Sequence, residues 1–418
     1  MTNSMTGTDL LLLDILRHAI RGKRFQTMSL AEEELTALLN RAEEQKILPL
    51  IFHSIYNAGI LRHADKQLIA RYQERAVTWV TRQIEQTNEF LVLLHGMQEA
   101  GLDPIVMKGL VCRELYPQPM LRMSVDEDLL VDDEQFRPVH DAIVAYGLVP
   151  DNGEPHFEED VEISYHYPNS PLYIELHRRM FLPDQEVYGL FSSVFSDVFE
   201  HTTTISVQDM HVRTLSPTDH ILFLILHAYK HFLYGGVGIR QLCDIGLFAE
   251  ANGQQIDWKR ITDACQQAGM GKLPAAFSKI METYLGIDLE KSFIPKEWQE
   301  TETNIQPLLD DILTGGLMGN NDPNRMHSSN ITLGAVASKG QSRHSLSGVI
   351  HSLFPSFTYM KKEYAYVDRL PILLPIGWIH RIIKYIFKAT KDDDQSAIAT
   401  LKIGQQRIHL LKEYGVIE

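Results

Sequence analysis

The residues best suited to chemistry in this chain are the carboxylates of the stretch LRMSVDEDLLV, Leu121 to Val131. The stretch runs into a strand pattern, and in a strand alternate residues share a face. Asp126 and Asp128 therefore point the same way, about 7 Å apart along the chain. Two carboxylates held side by side repel unless a cation lies between them. Hard oxygen ligands of this kind suit Mg²⁺, which keeps waters and takes its remaining ligands from phosphate. A third carboxylate from a neighbouring strand would allow two metal ions and a displacement at phosphorus. Glu175, in the otherwise apolar strand pattern LYIELHRRM, is the candidate. A plainer reading stands beside this one, because a lone Asp-x-Asp is a weak motif: the acids would then be a solvated strand end.

The elements that must position these carboxylates are legible in outline. Residues up to about 100 read as helices. SLAEEELTALLNRAEE opens with Ser29 and Glu32 at capping-box spacing, and the long stretch from Asp65 carries apolar residues at three- and four-residue steps before Gly101. The character then changes. DPIVM is a short strand, GLVCRELY a short helix, DLLV a strand, and DEQFRPVHDAIVAYG a helix closed by Gly147. VEISYHYPNSPLYIELHRRM reads as two strands around an Asn-Ser turn, and HTTTISVQDMHVRTLS as a hairpin. From Ser216 the chain is helical again, with Ser216 as N-cap, Pro217 in the first turn and Asp219 near the positive end of the dipole. The expected fold is α+β: a small mixed β-sheet core at 102–215, an N-terminal helical region at 1–101, and a C-terminal helical region at 216–418 with a polar, mobile link near 316–345.

The chain has 418 residues, 44% hydrophobic and 22% charged, enough for two or three packed units. A net charge of −15 and a pI near 5.6 disfavour a long nucleic-acid partner, since phosphate attraction drives such binding. Cys112, Cys243 and Cys265 are odd in number and show no CxxC spacing, which fits the cytoplasm and argues against a disulfide frame or a cysteine-rich zinc site. The N-terminal MTNSMTGTDLLLLDILRHAIRG has no basic start and no small-residue cleavage site, so it reads as an amphipathic helix rather than a signal peptide.

Several spaced features occur in a fixed order: Lys108-Gly109 after a strand, Tyr116-Pro117, Arg122, then Asp126, Asp128, Leu130 and Val131. Glu175-Leu176-His177 follow, then His227, Lys230 and His231, then Arg240 and Asp244. This constellation, from about Leu102 to Ala249 with an echo in LPILLPIGWIHR, resembles the polymerase-β-type nucleotidyltransferase superfamily, and more narrowly a family of uncharacterised bacterial nucleotidyltransferases. The resemblance implies a nucleoside triphosphate over the Lys108-Gly109 turn and two Mg²⁺ ions on Asp126, Asp128 and Glu175. It implies transfer of a nucleoside monophosphate to a hydroxyl acceptor with release of pyrophosphate, Glu175 helping to take the acceptor's proton. The acceptor would be a small molecule or a protein side chain. Two departures stand out. Glu127 occupies a position that is usually apolar, so either the back of the strand is open or a cation covers it. Lys-Gly replaces the usual Gly-Ser or Gly-Gly, with Gly109 still allowing close backbone approach to phosphate and the helix from 110 offering free N–H groups. Glu127 also favours an alternative: a catalytically weak nucleotide-binding or partner-binding module on the same fold.

Each remaining residue has a plainer reading. His227 and His231 share a helix face, but AYK lies between them and the HExxH pattern is missing, so packing or phosphate contact outranks zinc. Lys230 is a candidate to reach the triphosphate, against a simple surface lysine. Arg122 is read as a phosphate clamp, and Arg240 as structural, paired with Asp244 one helical turn on. RLPILLPIGWIHRIIKYIFK reads as packing against the core or a partner rather than as a membrane contact, and KDDD as a solvated loop.

Overall fold

The computed structural model describes residues 5–181, 189–315, 370–380 and 395–417, with isolated positions between 325 and 366. The expected link near 316–345 falls almost wholly outside the described residues, as do 381–394, which hold the end of the amphipathic tail and the KDDD run.

Four N-terminal helices come first: α1 (Gly7–Ala19), α2 (Glu32–Glu44), α3 (Leu48–Ala58) and α4 (Lys66–Glu99). Asp65 caps α4 by accepting the Leu68 N–H at 2.8 Å. The start of α2 differs from the sequence expectation. Its N-cap is Ala31, not Ser29, and Glu34 reaches back to the Ala31 N–H at 3.0 Å. Either register of the SLAEEE run offers a glutamate three residues on, and burial of Leu35, Leu38 and Leu39 selects the later one.

The core follows as β1 (Ile105–Met107), α5 (Gly109–Arg113), β2 (Glu127–Leu130), α6 (Asp133–Tyr146), β3 (Val149–Pro150), β4 (Glu162–His166), β5 (Tyr173–His177), α7 (Gly189–Ser193), β6 (Thr202–Val207) and β7 (Met210–Leu215). These strands form one mixed seven-stranded sheet in the order β3-β4-β5-β2-β1-β7-β6. The α+β fold with flanking helices is therefore present. The two-residue β3, which pairs Val149 with His166, is the strand that local pattern did not signal.

Two registers decide what the sheet presents. β1 runs antiparallel to β2, with Met107 opposite Asp128. β2 runs parallel to β5, with Asp128 opposite Glu175 and Leu130 opposite His177. All four residues of β2 are buried, so Glu127 and Asp128 are not a solvated strand end. That plainer reading of the acidic stretch fails.

The C-terminal helices are α8 (Pro217–Tyr234), α9 (Ile239–Asn252), α10 (Trp258–Gln267), α11 (Leu273–Leu285), α12 (Lys296–Glu300), α13 (Gln306–Gly315) and α14 (Gln395–Glu413). Ser216 caps α8 as expected, accepting the Asp219 N–H at 3.1 Å. The far end of α8 is closed by α14. Buried Arg407 donates to the Phe232 carbonyl and, at 3.3 Å, to that of Gly235, satisfying terminal carbonyls of α8 with a cation. One buried apolar cluster runs from Leu12 of α1 through the sheet to Ile417. In the tail, Leu374 and Trp378 pack with Met360, Tyr364 and Tyr366, and Ile372, Ile376 and Ile379 are exposed. None of the described helices is long and apolar enough to cross a membrane.

Candidate active site

The turn between β1 and α5 begins the site. Lys108 has φ +47°, a conformation that costs a non-glycine residue energy and persists only when its surroundings enforce it. Two bonds do so. The Lys108 carbonyl accepts the Cys112 N–H at 2.7 Å, and the Lys108 N–H donates to His220 Nε2 at 3.2 Å. His220 lies on α8 and is fully buried, and burial pushes its pKa down to about 3. It is therefore neutral, accepting at Nε2 while Nδ1 faces Thr214 Oγ1 at 3.4 Å. From this turn the lysine side chain reaches the start of the neighbouring strand β2. Its Nζ lies 3.2 Å from Asp126 Oδ2 and 3.0 Å from Asp128 Oδ2.

Around that ammonium the strand registers gather a carboxylate cluster. Asp128, Glu175 and His177 offer ligand atoms all within 4.8 Å of one another. His177 Nε2 is 3.3 Å from Asp128 Oδ1 and 3.6 Å from Glu175 Oε2, and its Nδ1 is 3.4 Å from Glu162 Oε2. Burial opposes charge on His177, but its hydrogen bonds to Asp128 and Glu175 and the Asp128 charge prevail, raising its pKa to about 10. The imidazolium thus donates to Asp128. Burial would raise the Asp128 carboxyl, yet Lys108 and His177 outweigh it and hold it well below the usual carboxylate range. Glu175 moves the other way, raised first by burial and further by the charges of Asp128 and Asp126. Asp128 Oδ2 is buried and faces the Lys108 ammonium. The oxygens of buried Asp128 and partly exposed Glu175 lie close enough together to hold a hard divalent cation.

Glu127 proves to be structural. Its side chain is fully buried and accepts from Arg113 Nη2 at 2.5 Å, Gln86 Nε2 at 3.0 Å and the Leu110 N–H at 3.1 Å. The cation that covers the back of the strand is Arg113. This also corrects the expectation for the turn. The Leu110 N–H is taken by Glu127 rather than free for phosphate, and a Cβ on Gly109 would collide with the Glu127 carboxylate. Gly109 is needed because Glu127 is there.

The same network fastens the strand to α4. The Ser124 N–H donates to Gln83 Oε1 at 2.7 Å, and Arg113 Nη1 donates to Ser124 Oγ. Sequence reasoning missed Gln83, Gln86 and Arg113. The available signal was a pair of glutamines three apart on a helix stripe that continues into Phe90 and Leu94, both buried.

The Asp244 carboxylate pairs with Arg122 rather than with Arg240, the partner that the helical spacing suggested. Arg122 is 2% exposed and forms a bidentate pair with Asp244, at 3.2 Å from Nε and 2.7 Å from Nη2, while Tyr116 donates to the same carboxylate at 2.8 Å. It is occupied in joining the α5–β2 connection to α9. Arg240, four residues before Asp244, instead donates to the Met123 carbonyl, and its Nε is buried without a partner. Burial lowers its pKa and Arg122 lowers it further, and among the described residues no carboxylate forms an ion pair with Arg240. His227 and His231 meet at 3.2 Å between their Nε2 atoms. Burial first, then Lys108, keeps both neutral, His231 with a pKa of about 3. Among the described residues no third ligand group joins them. Lys230 is half-buried between them on α8.

A family model described as an uncharacterised nucleotidyltransferase matches residues 31–286. The chain belongs to this family. The match covers α2 to α11, and so takes in the whole carboxylate cluster, the Lys108 turn, α8 and α9. No curated protein and no solved structure gives a significant match. Membership in a nucleotidyltransferase family agrees with the chemistry of the site, in which acidic groups that can hold a metal ion adjoin cations that can hold phosphate.

Proposed function

We propose that this nucleotidyltransferase moves a nucleoside monophosphate from a nucleoside triphosphate to a hydroxyl acceptor, in an Mg²⁺-dependent reaction that releases pyrophosphate. The observation that carries this reading is the β2–β5 register, which sets Glu175 beside Asp128 on the face where Asp126 also meets Lys108. Asp126, Asp128 and Glu175 would hold Mg²⁺, two ions in the full site. Bound there, the metal supplies charge neutralisation for the triphosphate and a lowered pKa for the acceptor hydroxyl.

The chain's own residues do the rest. His177 orients the Asp128 carboxylate through a hydrogen bond, in the manner of outer groups that fix metal ligands. Glu175, its carboxyl raised by burial, is suited to accept the acceptor's proton. Lys108, Arg240 and Lys230 would supply positive charge for the triphosphate. Three buried, free cysteines suit work in the cytoplasm. The acidic charge favours a small-molecule or protein acceptor over long nucleic acid.

A second reading has one specific observation in its favour. The Lys108 ammonium occupies the cation position between Asp126 and Asp128, which suits a nucleotide-binding module that needs no metal and turns over weakly. Glu127 no longer favours it, being part of the buried framework. Calorimetric titration of ATP, GTP, CTP and UTP with and without Mg²⁺ separates the two, using the wild type and Asp126→Asn/Asp128→Asn. Metal-dependent binding of one nucleotide, lost in the variant, supports the transferase. Metal-independent binding supports the module, and no binding at all rejects both.

A further inference from the structure

A second concavity lies apart from the carboxylate cluster. None of Lys108, Asp126, Asp128, Glu175 or His177 lines it. It is a cavity of about 430 Å³ bounded by the end of α1, the face of α3 and the 117–121 stretch between α5 and β2. That volume falls in the range of small-molecule sites. Leu50, Leu121 and Ala19 give it an apolar floor.

Two features give the cavity a chemistry. Its charged lining residues are Lys23 and Arg24, with no carboxylate among the residues that form it. Both are exposed, and among the described residues neither takes part in an ion pair, whereas neighbouring Arg21 is paired with Glu250. Finally, Asn57 Nδ2 and Gln118 Nε2 converge on His53 Nε2, at 2.8 and 3.0 Å. Each amide keeps a second N–H for a ligand, and the Gln118 contact ties α3 to the segment that leads to Asp126.

We propose that this cavity is a second binding site, for a small phosphorylated molecule. Two cations and two amides match the several acceptor oxygens of a phosphate monoester, and the apolar floor leaves room for the carbon skeleton. The site does not depend on the catalytic reading above. Leu121 of its wall directly precedes Arg122 in the chain.

The test is calorimetric titration of the full chain, without divalent metal, using inorganic phosphate, ribose 5-phosphate and ribose. The wild type, Lys23→Glu/Arg24→Glu and Asp126→Asn/Asp128→Asn are compared, with circular dichroism melts to check folding. Lys23 and Arg24 are exposed, so their double variant retains the fold. Ribose 5-phosphate is expected to bind saturably and ribose not to bind. Loss of the two charge-assisted contacts weakens binding by about tenfold or more, and the aspartate variant binds as the wild type does. Phosphate binding as tightly as ribose 5-phosphate would overturn the role given to the apolar floor. The site itself is overturned by no saturable binding to the wild type, by equal binding to Lys23→Glu/Arg24→Glu, or by loss of binding in the aspartate variant.

Discussion

Replacing Arg113 by methionine should destabilise the protein by about 3–5 kcal/mol, because it strands a buried carboxylate. The Arg113 and Glu127 side chains are 1% and 0% exposed. Without the guanidinium, Glu127 keeps only two neutral donors, Gln86 Nε2 and the Leu110 N–H. Burial already pushes the Glu127 carboxyl upward against the pull of Arg113, so little electrostatic surplus remains to absorb the loss. Glu127→Leu should cost a similar amount, since it strands the cation and also orphans the Leu110 N–H. The double variant should then cost less than the sum of the two by at least about 2 kcal/mol, because each change removes the charge that the other isolates. It should not return to wild-type stability, since the Leu110 N–H is still unpaired. Urea unfolding followed by tryptophan fluorescence, with Trp79 on α4 near the network, measures all four corners of the cycle. Additive single costs, or an Arg113→Met loss below about 1 kcal/mol, would refute the assignment of Glu127 to a buried framework.

The arginines should separate cleanly. Arg122→Met breaks its buried pair with Asp244 and should lower stability by about 3–5 kcal/mol, whereas Arg240→Met gives up only its contact with the Met123 carbonyl and should cost about 1 kcal/mol while weakening triphosphate binding by about ten- to a hundredfold. Lys108→Met removes the cation that competes at Asp126 and Asp128, so Mg²⁺ alone should raise the melting temperature more in the variant than in the wild type, while nucleotide binding falls. Acid should destabilise the fold before its carboxylates titrate. Burial depresses His220 and His231 to about 3 in the native state, against about 6.5 unfolded, so the unfolded chain binds more protons between those values and stability falls with pH through that window. Each contributes a loss of about 2 kcal/mol at pH 5 relative to pH 8, and His220→Gln should flatten the slope measured by urea unfolding.

Much of the scaffold was readable because its signals are local. Ser216 before Pro217, Gly147 after α6 and the alternation of β4 and β5 each express an interaction within a few residues. The aspartates, Lys108 and Glu175 were readable as candidates because carboxylates inside apolar strands are costly to keep. What escaped notice was long-range. Arg240 and Asp244 share a helix face at the spacing of an ion pair, but Arg122 arrives from the α5–β2 connection and takes the carboxylate. Glu127 looked like a flaw in a catalytic strand, since nothing near it in sequence announces Arg113, fourteen residues earlier, or Gln86 on α4. The Leu110 N–H looked free for the same reason. Pairing of strands distant in the chain, and the side chains that reach between elements, follow from the assembled fold and leave no periodic trace.

The most direct test of the central claim is manganese binding followed by electron paramagnetic resonance, with a non-hydrolysable triphosphate present. Mn²⁺ stands in for Mg²⁺ at oxygen ligands. The wild type is expected to bind the ion tightly, and Asp128→Asn and Glu175→Gln each to weaken binding by about tenfold or more. Unchanged metal binding in both variants, with the triphosphate still bound, would contradict that claim and leave Lys108 as the resident cation of that site.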